Sequence, residues 1–189
     1  VDLQQLKAQL QWTVRASSVV GEPPEILVKA KSVQFANADA QGTFDGAWRS
    51  GPGTGFGAGK RYPGAIEVNG KLTRGRAATV HRYLPLGLGP DVRRYVANAF
   101  SEGHITSATY TVKGDMWAFP YRNQNGTFRL VSQVEGVRMN IAPDAVGAKQ
   151  QPRWPVFSDV AGELTFDRTS MQIRGATGRF RGVHLVDVN

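Results

Sequence analysis

Cysteine is absent from this 189-residue chain. Without a thiol, the chain cannot carry thiol catalysis, cysteine-ligated zinc or disulfides. It also lacks any run of roughly 18 apolar residues, so the sequence predicts no transmembrane helix, and no signal peptide is recognisable. The chain opens with Val1-Asp2-Leu3 and has no initiator Met, and we therefore expect it to be processed or excised from a longer protein.

Histidines and carboxylates are too scattered to indicate a catalytic or metal site. The histidines, His81, His104 and His184, lie far apart and show no metal-ligand spacing. The 15 acidic residues are scattered singly, and no G-x-S-x-G motif occurs. Paired acids for glycoside chemistry could meet only through the fold. The sequence predicts no enzyme activity, no metal and no cofactor.

The glycine-rich segment 51–60 has only a superficial likeness to a phosphate-binding loop. Thr54 stands where that motif needs its first Gly, and Arg61 stands where it needs Ser or Thr. A proline, Pro63, and a strand pattern follow in place of a helix. This segment is therefore predicted to be a flexible hairpin loop.

The formal net charge of +8 would suit nucleic acid, anionic lipid headgroups, or simply solubility. The densest basic patches, Arg93-Arg94 and 174–181, contain no run of five like charges. No strand combines basic residues with the clustered aromatics of an RNA-binding motif. These patterns favour a solvated basic surface and predict no nucleic-acid partner.

Alternation of apolar and polar residues is the dominant pattern in the chain. Leu10, Trp12 and Val14, for example, alternate with polar neighbours, which is typical of a strand with one buried face. The parity shifts near Ser32 and at Glu135-Gly136, so a β-bulge is expected at each place. Short spacings between strands predict antiparallel hairpins, in a sheet covered on one side only.

Turn signals separate most of these strands, and they occur at 21–24, Asn69-Gly70, Asn125-Gly126 and 167–169. Two of the four tryptophans, Trp12 and Trp48, could stack on sugars or bases. Both share the apolar parity of their strands, however, and this parity predicts that they are buried.

Two helical patterns interrupt the strands. Pro90 suits a first helical position, and apolar residues from Val92 to Phe100 then recur at helical spacing, with Gly103 as a stop signal. A shorter helix is predicted over 77–83. We call this region, residues 76–103, the helical corner. Residues 144–155, which contain two prolines, are predicted to form a loop.

Four motifs follow one another over nearly the whole chain: Arg82-Tyr83-Leu84-Pro85, Lys113-Gly114-Asp115 leading to Phe119-Pro120-Tyr121, Gly126-Thr127-Phe128, and WPVFSDVAGELTF at 154–166. In order and spacing they resemble signatures of the YhdP branch of the AsmA-like envelope proteins, which are relatives of TamB. The match to the second motif makes Phe119-Pro120-Tyr121 part of a strand. Tyr121 stands where Phe is commoner, and the loop at 51–59 is longer than usual.

The resemblance implies that residues 1–189 are a single internal, periplasmic segment of a longer bacterial protein anchored in the inner membrane. It implies a β structure curled into an open trough, along which phospholipid passes between the inner and outer membranes. The implied partners are phospholipid acyl chains, adjacent β segments of the same full-length protein and, through parts outside this chain, the two membranes.

Together, the alternation and the resemblance predict a mainly β fold. It consists of a long, curved, twisted antiparallel sheet that forms an open trough with an apolar concave face, plus two short helices. Residues 1–75 and 104–189 supply the strands, on either side of the helical corner. Two other functions stay open, a structural or regulatory envelope module and a carbohydrate-binding β protein.

Eighteen side chains have the parity that faces the interior of this trough, and we predict that they line a lipid groove. We call them the inward set: Trp12, Val14, Ile26, Val28, Phe35, Phe44, Trp48, Ile66, Val68, Leu72, Tyr110, Val112, Phe128, Leu130, Leu164, Phe166, Met171 and Ile173.

Overall fold

A computed structural model describes residues 2–84, 90–143 and 156–189. The predicted loop at 144–155 and the motif residues Pro85, Trp154 and Pro155 lie outside the described residues. The strands are β1 (Gln5–Arg15), β2 (Glu25–Ala36), β3 (Ala40–Arg49), β4 (Ala65–Arg76), β5 (Phe100–Asp115), β6 (Thr127–Met139), β7 (Phe157–Asp167), β8 (Ser170–Phe180) and β9 (Val183–Val188). The helices are a 3-10 helix at Ala77–Tyr83, α1 at Pro90–Ala99 and a short 3-10 turn at Met116–Ala118.

All nine strands form one sheet, in which every strand pairs antiparallel with its neighbour in sequence. The sheet is open, with β1 at one edge and β9 at the other. Period-two alternation therefore predicted the fold class correctly: the protein is mainly β, antiparallel and unclosed, with a small helical content.

Bulges occur at both places where the apolar parity shifts. The β2–β3 register slips between Ala30 and Val33, and Ser32 within that interval has a left-handed φ of 51°. The β6–β7 register slips between Val134 and Val137, around Gly136 at φ 60°. A bulge bends its strand and increases the local twist, so these irregularities coil the sheet and keep its apolar side chains on one face.

Asn69-Gly70 is not a turn, contrary to the sequence prediction. Both residues lie in the middle of β4, where Gly70 is opposite Phe44 on one side and Tyr110 on the other. A Cβ at position 70 would collide with the ring of Tyr110. The glycine is therefore explained by a cross-strand aromatic ring lying against the backbone, which is the other common role of glycine in a strand.

The helical corner is shorter than predicted at its C-terminal end. Helix α1 stops at Ala99, and β5 starts at Phe100, where position 104 was expected. Pairing of Phe100 with Met139 on β6 takes these residues into the sheet. Gly103, expected to stop the helix, instead lies within β5 at φ 109°, where it allows close approach of Val137.

The buried core lies where the helical corner meets the sheet. It contains Ala77 from the 3-10 helix and six sheet residues: Ile105, Ala108, Val134, Val137, Met139 and Val160. This core holds β5, β6 and β7 together beneath the two helices. Within the described ranges, no helix has both the length and the apolar character needed to cross a membrane.

The β5–β6 connection is organised around Tyr121. Phe119-Pro120-Tyr121 forms a turn after the Met116–Ala118 helix, although it was expected to belong to a strand. The Tyr121 side chain is fully buried, and its ring occupies the space that a Cβ at Gly114 or Gly126 would need. Its hydroxyl has no hydrogen-bond partner among the described residues.

Candidate functional site

The register of the sheet brings the whole inward set onto one face. Residues directly opposite each other on paired strands point to the same side, so the pairings can be followed from edge to edge. One row across the strands is Trp12, Val28, Trp48 and Ile66. Another is Phe44, Gly70, Tyr110, Leu130, Phe166 and Met171. The remaining members lie in parallel rows beside these two, which makes the face apolar from β1 to β8.

The covering of this face changes along the sheet. The helical corner lies over β5 to β8, where it encloses a groove, and the loop residue Tyr62 lies over Trp48 of β3, whereas Leu10, Trp12 and Val14 of β1 are more than half exposed. Trp12 is 71% exposed, so its predicted burial is wrong. Parity predicts the face correctly, but β1 is an edge strand, and the described residues leave its tryptophan largely uncovered.

Beneath the helical corner, the apolar face and the helices enclose a groove of about 400 Å³. Six members of the inward set form its floor: Phe128, Leu130, Leu164, Phe166, Met171 and Ile173. The helical corner contributes the opposite wall through Val80, Leu84, Val92 and Val96. A volume of this size lies within the range of small-molecule sites, and its lining is almost entirely hydrocarbon.

The groove also uses residues that the inward set omitted. Ile105, Val137 and Val160 line its buried end, and Phe119 with Pro120 closes the side near the β5–β6 connection. The parity shift at Glu135-Gly136 is the signal that places Val137 on the apolar face. No local pattern identifies Phe119, because the turn that carries it reaches the groove only through tertiary packing.

A polar network connects the 3-10 helix to the turn between β2 and β3. The Tyr83 hydroxyl and the Asn37 side chain are hydrogen bonded, and Asn37 Oδ1 also accepts from the backbone N–H of Ala40, 2.8 Å away. Arg82 Nη1 lies 2.9 Å from the Asp39 carboxylate. Asn37 and Asp39 are both buried. Two residues of the Arg82-Tyr83-Leu84-Pro85 motif therefore fix the helical corner to the β2–β3 turn.

Tyr110 brings a phenol onto the apolar face, opposite Leu130. Burial raises the pKa of Tyr110 above its usual value, because an apolar environment disfavours the phenolate. The side chain therefore stays neutral at physiological pH. It adds no charge to the central row.

Two positively charged residues line the groove at one end, where the β5–β6 connection meets the β7–β8 turn. Arg122 and Arg168 line the apolar groove there, together with Thr169. The same residues also line a separate polar cleft of about 340 Å³. The apolar and polar surfaces therefore meet at these two guanidinium groups.

The glycine-rich segment 51–60 is a loop between β3 and β4. Its backbone is closed by hydrogen bonds such as Gly51 N–H to the Arg61 carbonyl, at 2.7 Å. Tyr62, at the end of the loop, stacks on Trp48 with a centroid distance of 6.0 Å. In the part of the chain that the structure describes, no group of three or more histidine and acidic side chains is arranged to hold a metal ion.

Comparison with known proteins identifies a family but no individual relative. No curated protein and no solved structure matches the chain. The family model described as "YhdP protein" matches residues 1–189, which is the entire sequence. The chain therefore belongs to the YhdP family.

Proposed function

We propose that this chain binds the acyl chains of phospholipids on its apolar face and is one segment of a conduit for lipid between the inner and outer bacterial membranes. The observation that carries the proposal is the continuous apolar face, which spans eight strands and ends in a groove of about 400 Å³. Membership of the YhdP family is consistent with a bridge-like lipid carrier.

Hydrocarbon chains are the ligand that such a face suits. Val28, Val68 and Phe44 are neither buried in a core nor fully exposed, so the face retains apolar surface that a ligand can cover. Each CH₂ taken from water contributes about 0.8 kcal/mol, which makes free passage of a two-chain lipid through water very slow. A continuous apolar face lowers that barrier at every step.

The proposal assigns no catalysis and no cofactor to the chain. Transport along a groove requires similar affinity at successive positions, because one strong local site would trap the lipid. Rows of Val, Ile, Leu and Phe provide this uniform surface. They offer no nucleophile or general base, so these apolar side chains act through shape and desolvation alone.

The β1 edge of the sheet is the place where we expect a neighbouring β segment to bind. At the β1 edge, Leu6, Leu10, Trp12 and Val14 are all more than half exposed, so the apolar face reaches that edge uncovered. We propose that neighbouring β segments of the same protein continue the face there, and that the chain lies in the periplasm as part of an inner-membrane-anchored protein. Parts of the protein outside this chain would contact the membranes.

Site-specific photo-crosslinking in the protein that contains this chain tests the proposal. A photoreactive amino acid at Val68 or Leu130 faces the apolar side, and Lys71 and Gln133 are the controls because they lie on the opposite face and are exposed. We expect phospholipid adducts at the first pair and few at the controls. Adducts that form equally at all four positions would contradict the conduit and favour a structural envelope module.

A further inference from the structure

The end of the groove at Arg122 and Arg168 combines an apolar floor with positive charge. The rings of Phe119 and Phe128 pack against each other there at a tilt of 51°, with a centroid distance of 4.9 Å, and both residues line the same groove as the two arginines. A ligand lying along this floor would therefore leave the hydrocarbon surface at a pair of guanidinium groups.

The charged residues at this end of the groove carry a net positive charge. Asp167 is bound on both sides, by Arg129 Nη1 at 3.1 Å and by Arg168 Nη1 at 3.4 Å. Within residues 2–84, 90–143 and 156–189, no carboxylate pairs with Arg122. Three arginines and one aspartate line the adjoining polar cleft, which leaves a local excess of positive charge that an anion can balance.

The position of Arg168 is held by the turn that carries it. Arg168 is the first residue of the two-residue β7–β8 turn, and its Nε donates to the Gly126 carbonyl, 3.3 Å away. This bond links the β7–β8 turn to the β5–β6 connection, which carries Arg122. The two arginines therefore sit on loops that are tied together.

We propose that Arg122 and Arg168 bind the phosphodiester of a phospholipid whose acyl chains lie in the groove. This inference rests on the proposed function and deepens it by assigning the headgroup contact. Guanidinium groups form strong, charge-assisted hydrogen bonds with phosphate oxygens. Exposure of Arg122 to solvent makes the contact weak enough to release the headgroup, as transport requires.

Native mass spectrometry of the 189-residue chain in a non-ionic detergent tests this assignment. The two probes are phosphatidylglycerol and a diacylglycerol with the same acyl chains, so that they differ only in the phosphate headgroup. In the Arg122→Gln/Arg168→Gln variant we expect the apparent affinity for phosphatidylglycerol to fall about tenfold and the affinity for diacylglycerol to stay unchanged. Arg138→Gln/Arg174→Gln, with the same charge change on exposed positions of the opposite face, should bind both lipids like the unmodified chain.

Two results would overturn the headgroup assignment: unchanged phosphatidylglycerol binding in the double variant, or an equal loss of both lipids. Displacement of the lipid by glycerophosphoglycerol, which has the same phosphodiester but no acyl chains, would show instead that the arginines bind a free phosphodiester and that acyl chains in the groove are not part of the site. Arg122→Gln alone, on an exposed loop, provides the same comparison if the double variant does not fold. Failure of the unmodified chain to bind either lipid would instead contradict the proposed function itself.

Discussion

Replacing Tyr121 by Phe is expected to stabilise the chain. The ring of Tyr121 is fully buried between Gly114 and Gly126, and its hydroxyl has no partner among the described residues. A buried polar group without a hydrogen bond costs about 1–3 kcal/mol. Phe keeps the ring, its packing and the backbone φ of 66°, so the substitution removes the cost of the hydroxyl and little else.

The expected gain can be measured by thermal unfolding. For a chain of this size, about 1 kcal/mol corresponds to about 2–4 °C in melting temperature, so Tyr121→Phe should raise it by about 2–12 °C. The matched control is Tyr95→Phe, because the Tyr95 hydroxyl does donate, to the Ile141 carbonyl at 2.9 Å. The control should lose about 0.5–1.5 kcal/mol. If both variants lose stability alike, the Tyr121 hydroxyl has a partner and the reasoning is wrong.

The difference in stability between Tyr121→Phe and the unmodified chain should also depend on pH in the alkaline range. Burial, and then the nearby Asp115 carboxylate, raises the pKa of Tyr121 above its ordinary value of 10.0. Above that value the unfolded chain releases the phenolic proton while the folded chain still holds it, so the free energy of unfolding falls as pH rises. Below that value the phenol is neutral in both states and contributes no pH dependence. The advantage of Tyr121→Phe should therefore be constant at neutral pH and grow above about pH 10.

Two further predictions concern the groove. Phe100→Ala should destabilise the chain by about 2–3 kcal/mol, less than the roughly 3–5 kcal/mol for a fully buried ring, because Phe100 is only partly buried against the core. An unchanged melting temperature would show that the helical corner does not depend on this ring. Leu130→Arg should suppress lipid crosslinking at Val68, since acyl chains cannot satisfy a buried charge, whereas Val131→Arg, on the opposite face, should not. Equal crosslinking in the two variants would argue against passage over Leu130.

Local alternation was sufficient to predict which side chains share a face. Ile66 and Val68 show their face by parity alone, and the change of parity at Ser32 reveals a bulge without any knowledge of the partner strand. The errors arise where a distant residue decides the outcome. Asn69-Gly70 has the local chemistry of a turn, but Tyr110, forty positions further along, makes the glycine a space for its ring.

The face to which a side chain points could be predicted from the sequence, but whether another element covers that side chain, and which distant residues it meets, could not. The parity of Trp12 gives its face, yet it contains no information about whether another element packs above it. Arg122 and Arg168 are 46 positions apart in sequence, and only the folded chain brings both to one end of the groove. The same is true of Asn37 and Tyr83, whose side chains meet across the β2–β3 turn.

Different features of the sheet set the width and the length of the apolar face: the number of residues in each strand sets the width, and the number of strands sets the length. Each strand lies across the face, so β2 to β4, with 10 to 12 residues each, set a width of about 34–41 Å of extended chain. The eight strands that carry the face, about 4.8 Å apart, extend it by about 34 Å in the perpendicular direction. One more hairpin at either edge would add about 10 Å to that length and leave the cross-section unchanged. A protein with this topology can therefore adjust its reach by gaining or losing hairpins, without redesigning its interior.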